Sequence, residues 1–90
     1  MATLRTVMGD ISADTMGITY AHEHVCLGYS GARQEMGDQF DREATITEAC
    51  TDIGNAMKTH GLSTFIDVTT AEIGRDTDLL YAVSERLGIN

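Results

Sequence analysis

Apolar and polar positions alternate between two periods along this chain, and the change of period marks its elements. Gly17 to Cys26 reads as an extended segment, because Ile18, Thr19, Tyr20 and Val25 are β-branched or aromatic. Ile46, Ala49, Cys50, Ile53, Ala56 and Met57 recur at helical spacing and form one apolar stripe, with Thr47, Asp52, Asn55 and Lys58 on other faces. Thr45 and Glu48 have capping-box spacing and predict the start of that helix. Lys58, His60 and Gly61 mark its end, which makes His60 a helix-end residue. Leu62 to Thr70 predicts a second strand, rich enough in apolar residues to be covered on both faces. Asp76 is a good N-cap for a second helix reaching about Leu87, with Leu79, Leu80, Val83 and Leu87 as its buried stripe and Gly88 as its stop. Ile89-Asn90 reads as the entry to another strand.

Before the first long strand, Thr6 to Ile11 predicts an extended piece turning at Gly9-Asp10, and Ser12 to Gly17 a single helical turn capped by Ser12. Leu27 to Arg42 has no clear period and holds Gly28, Gly31 and Gly37; a loop of this length is usually functional or disordered, and its place after the histidines favours a pocket wall, with a solvated connector as the alternative. The order is hairpin, β, long loop, α, β, α and the start of another β. That is a parallel α/β run with right-handed crossovers. A two-stranded parallel sheet leaves its edges open. Residues 1–90 are therefore expected to be a single partial domain, the opening portion of a larger chain, and to self-associate if isolated.

Composition narrows the function classes. Six basic against fourteen acidic residues give a net charge of −8, which argues against nucleic acid or an anionic membrane surface as partner. No apolar run reaches the roughly 20 residues needed to cross a membrane, and the start has no signal-peptide core. Cys26 and Cys50 are too few for a disulfide framework and read as small buried hydrophobes in a reducing compartment. A cytoplasmic location is the expectation.

The candidate chemistry sits where the first strand ends. Residues two apart on a strand share a face, so His22 and His24 point the same way, together with Ile18 and Tyr20 before them. Two neutral imidazoles side by side suit zinc and similar divalent metals. Glu23 points to the opposite face and reads as structural. Asp67, inside the second strand, calls for a hydrogen-bonded partner; structural pairing is the simpler role and support of a metal ligand the alternative. Thr69 and Thr70 lie at the strand end that opens onto sites in parallel folds. Cys26 shares the histidine face but sits past the strand end; it reads as a packed thiol, with a ligand as the alternative. Tyr29 and the loop around it are candidate pocket walls.

Tyr20-Ala21-His22-Glu23-His24-Val25 resembles the His-Glu-His signature that opens the phosphotriesterase family of the amidohydrolase superfamily. Val7 to Ser12, Met16 to Thr19, Phe65 to Thr70, Ile73-Gly74-Arg75-Asp76 and Leu79-Leu80 are similar to other segments of that family at matching spacing. The family usually has proline in the lead-in, where this chain has Asp10 and Ala13. The resemblance implies the N-terminal part of a (β/α)8 TIM barrel: a lead-in hairpin plus two βα units, with a binuclear metal centre at the C-terminal face. It implies that His22 and His24 bind one metal, zinc being the expected ion. The remaining ligands would be a carboxylated lysine, two later histidines and an Asp; Lys58, the one lysine, does not match the bridging position.

The implied activity is metal-dependent hydrolysis of a small-molecule ester, a lactone or carboxylic ester first and an organophosphate triester second. A homodimer is left open for the full-length protein. The competing reading is a catalytically inactive truncated fragment, or a small metal-binding or interaction module.

Overall fold

The structure is a computed structural model that describes residues 2–25, 41–70 and 74–90. Its strands are β1 (Thr3–Thr6), β2 (Gly9–Ser12), β3 (Ile18–Glu23) and β4 (Leu62–Asp67). Its α-helices are α1 (Arg42–His60) and α2 (Thr77–Leu87), and a 3-10 turn covers Ala13–Thr15. β1 and β2 pair antiparallel as a hairpin, and β3 and β4 pair parallel, as the period pattern predicts.

The hairpin turn falls at Val7-Met8, two residues before the predicted Gly9-Asp10. The Thr6 hydroxyl organises it, donating to Gly9 O at 2.7 Å and accepting from Met8 N at 3.2 Å. Gly9, at φ 122°, starts the return strand. Ser12 caps the following 3-10 turn as expected.

Both α-helices end where the sequence stops them: Gly61 and Gly88 adopt left-handed conformations, at φ 71° and 69°. Asp76 caps α2, accepting from Leu79 N at 3.0 Å. The start of α1 differs from the capping-box expectation. Asp41, not Thr45, is the N-cap and accepts from Ala44 N at 2.9 Å, while the Thr45 hydroxyl bonds back to Asp41 O. The extra turn is held from outside. Arg42 forms a two-pronged ion pair with Asp76, at 2.6 and 3.1 Å, and Arg86 reaches Glu43 at 2.8 Å. Asp76 holds the Arg42 guanidinium above its ordinary pKa through this bond.

The core lies between the parallel sheet and the two helices. Ile46, Ile53, Leu62, Leu79, Val83 and Ile89 are buried, and Ala49, Cys50, Ala56, Met57, Phe65 and Leu87 pack against them. The whole predicted stripe of α1 takes part, and Cys50 is a packed thiol as expected. Each fully buried aliphatic side chain here contributes ~1.5–3 kcal/mol. β4 is not covered on both faces among the described residues, since Ile66 keeps 39% exposure. An apolar groove of about 330 Å³, lined by Leu4, Val7, Ile11, Ile66, Leu80 and Val83, runs beside it.

The free edge of β4 is engaged at its start. Phe65 N donates to Asn90 O at 2.9 Å and Asn90 N donates to Ser63 O at 3.0 Å. Ile89-Asn90 thus enters the sheet beside β4, in the place expected of a further strand. Ser84 secures this entry from α2 through a hydrogen bond to Ile89 O.

Gly17 joins the lead-in to the sheet at φ 63°, and a Cβ there would stand 2.6 Å from Ser63 Oγ and 3.0 Å from Ser63 Cβ. The Oγ can rotate away; the Cβ cannot. Gly17→Ala is expected to cost at least about 1–2 kcal/mol from the left-handed backbone alone. Urea melts of the two proteins check this, and equal midpoints would refute it.

Candidate metal centre

β3 is not a regular ribbon. Tyr20 pairs with Phe65 but Glu23 pairs with Asp67, so the register slips by one residue between them; a second slip separates Ile18 from Thr19. These irregularities break the simple alternation predicted for Ile18, Tyr20, His22 and His24. Tyr20 packs against the core below the helices, Ile18 is 54% exposed and His22 is exposed. Ile18 thus leaves the histidine face, whereas Tyr20 shares a cleft with His24, and so does Glu23, which the alternation had placed opposite. A bulge next to a site commonly re-aims a side chain in this way.

The pair itself survives the slip. The His22 and His24 ring centroids lie 5.7 Å apart, edge to face, with the planes at 77°. His24 is half-buried, and its Nδ1 lies 2.7 Å from the Thr69 hydroxyl. Thr69 is buried to 3% exposure just beyond the end of β4. The sequence marks Thr69 only as a strand-end residue; its contact with a histidine 45 positions away follows from the pairing of β3 with β4.

Asp67 resolves into a clamp. One carboxylate oxygen accepts from Val25 N at 2.9 Å and the other from Thr69 N at 2.8 Å. It thus ties the chain after His24 to the chain that carries Thr69. Asp67 pairs structurally, as its position in the strand suggests, and it supports the histidine only through what it holds in place. Arg75 fixes the other side of the same turn, donating through Nε to Thr69 O at 3.0 Å.

Glu23 and His24 border a cleft of about 260 Å³ against α1, together with Tyr20, Asp52 and Ala56. The apolar groove beside β4 includes neither histidine. His60 is the last residue of α1, before the Gly61 cap, and is exposed, a helix-end residue as expected. Cys26, Tyr29 and most of the loop predicted from Leu27 to Arg42 lie outside the described residues, as do residues 71–73.

Two imidazoles on one side of a strand end, one of them held at Nδ1, form a donor set suited to a divalent metal. Two donors are fewer than the three or four protein ligands that zinc takes. Among the described residues no group of three His, Cys, Asp or Glu side chains is placed to complete it. Also among these residues, no helix is long and apolar enough to cross a membrane.

With this geometry in place, likeness to known proteins is specific. The family model described as the phosphotriesterase family matches residues 2–90. The chain belongs to that family. It is 30% identical over 80 residues to the phosphotriesterase homology protein of Escherichia coli, a match covering 89% of this chain and 26% of that protein. It is 28% identical over 80 residues to an aryldialkylphosphatase of Saccharolobus solfataricus, covering 89% of this chain and 25% of that one.

Among solved structures, a mutant of the organophosphorus hydrolase from Deinococcus radiodurans superposes with a TM-score of 0.87 at 32% identity, over 98% of this chain and 27% of that one. A mutant of a phosphotriesterase-like lactonase from the same organism gives 0.84 at 31% identity, over 94% and 26%. The chain thus spans about a quarter of the length of the relatives it matches. The fold is the N-terminal portion of a phosphotriesterase-like TIM barrel, the hairpin and two βα units expected from the sequence.

Proposed function

We propose that this chain forms the opening part of a metal-dependent hydrolase of ester bonds, acting on a lactone or carboxylic ester in preference to a phosphotriester. The observation that carries the reading is the edge-to-face His22–His24 pair at the end of β3, with His24 held by Thr69. Membership of the phosphotriesterase family supports it, as do relatives whose names speak of organophosphate and lactone hydrolysis.

His22 and His24 hold one divalent metal, zinc by the chemistry of the donor set, in a centre whose other ligands come from outside residues 1–90. Such a metal supplies positive charge that polarises a carbonyl or phosphoryl oxygen and acidifies a water. The imidazoles then serve as ligands and move no proton. Asp67 and Thr69 fix where His24 stands, and Glu23, bordering the cleft against α1, takes no part in the chemistry.

The inactive-fragment reading keeps one observation in its favour: two ligands fall short of a complete site among the described residues. Residues 1–90 alone are expected to bind zinc weakly and to hydrolyse nothing. The complete protein, stripped with chelator and reloaded with zinc, is expected to turn over lactones faster than organophosphate triesters. Faster triester turnover would reverse the substrate order. No turnover of either class after reloading would overturn the proposal.

A further inference from the structure

We propose that Thr69 is a positioning residue that holds the His24 ring through Nδ1, leaving Nε2 as the atom offered to a metal. The inference rests on the proposed metal role of His24 and assigns a task to a residue that the sequence marks only as a strand end.

A neutral imidazole that binds through Nε2 carries its proton on Nδ1, and the Thr69 hydroxyl is able to accept from that N–H. Here Nδ1 lies 2.7 Å from Thr69 Oγ1, a short contact in the range of a good hydrogen bond. The hydroxyl does not drift. Thr69 N is held by Asp67 at 2.8 Å, Thr69 O by Arg75 at 3.0 Å, and the side chain is buried.

Asp67 also holds Val25 N, the amide immediately after His24. One carboxylate therefore sets both sides of the His24–Thr69 contact: the backbone that carries the ring and the backbone that carries the hydroxyl. The arrangement joins β3 to the turn after β4, so the aim of a first-strand ligand is set by the end of the second. Serine in place of Thr69 keeps the oxygen; valine keeps the shape and loses it.

The test uses the complete protein with 15N-labelled histidine, first free of metal. The wild-type His24 is expected to show the Nδ1–H tautomer in two-bond nitrogen–proton spectra. Thr69→Val is expected to mix the tautomers and to weaken zinc binding, read by chelator competition, by about 10–100-fold, the usual range for losing a ligand's supporting hydrogen bond. Thr69→Ser is expected to restore both. An Nε2–H tautomer in the wild type overturns the proposal, a reading that does not depend on whether the valine variant folds. So does a Thr69→Val protein with unchanged tautomer and affinity. The metal-free spectra separate this inference from the metal reading: if zinc never binds at His22 and His24, the tautomer is still measurable. If zinc binding depends on His24 but not on Thr69, only the assignment to Thr69 falls.

Discussion

Replacing His24 with Asn is expected to lower the hydrolytic turnover of the complete protein by more than about 100-fold, beyond the range for losing only a ligand's hydrogen-bond partner. Metal content should fall with it. The reason is geometric. His24 is the member of the pair whose ring is pinned, by Thr69 at 2.7 Å, and whose following amide is tied to Asp67. Asn keeps a polar group but cannot place a nitrogen lone pair where Nε2 stands. His22→Asn should act in the same direction, since the two rings stand edge to face at 5.7 Å. His60→Asn, at the exposed end of α1, supplies the control and should leave turnover and metal content unchanged. Atomic absorption on the purified variants, alongside lactone assays, gives both readouts. Full activity in the His24 variant would remove that histidine from the site.

The parts of this fold that follow from neighbouring residues were legible in the sequence. Asp76 and Gly88 bound α2 because caps act within one turn, and the α1 stripe from Ile46 to Met57 is a property of one helix. The start of α1 was not legible in the same way. Asp41 and Thr45 are both competent caps, and nothing local chooses between them. The choice is consistent with ion pairs from Arg42 to Asp76 and from Glu43 to Arg86, partners that folding brings together from far along the chain.

The site divides along the same line. That His22 and His24 share a side was readable from their spacing, but the slip between Tyr20 and Glu23 was not, because register belongs to two strands and not to one. The bulge explains why Tyr20 serves the core while His22, two residues on, remains exposed. Thr69 was legible as a residue at the strand end that opens onto a site, but its contact with His24 was not, for a related reason. A threonine at a strand end does not name its partner until a parallel strand sets a histidine beside it.

The site also depends on packing beneath it, and Leu79 is where that dependence is greatest. At 1% exposure it is the largest side chain in the described residues to be completely enclosed, in the first turn of α2, where its amide donates to the Asp76 cap. It joins Ile46 and Ile53 of α1, Leu62 of β4 and Ile89 in one cluster, so helices, sheet and the incoming strand meet around it. Leu79→Ala is expected to cost about 2–5 kcal/mol, the lost transfer energy plus the cavity that rigid neighbours fail to close. Leu79→Met, close in volume, should cost less than about 1.5 kcal/mol. The loss should appear first at the site end of the sheet. Asp76, which caps α2, anchors Arg42, and Arg75 just before it holds Thr69 O. Denaturant melts give the energies, and hydrogen exchange at Val25 N and Thr69 N, the two amides bound by Asp67, reports whether loosening α2 reaches the histidine clamp. Faster exchange of both amides in Leu79→Ala, without change in Leu79→Met, is the expected result. Unaltered exchange in a destabilised alanine variant would show that the clamp stands independently of the core.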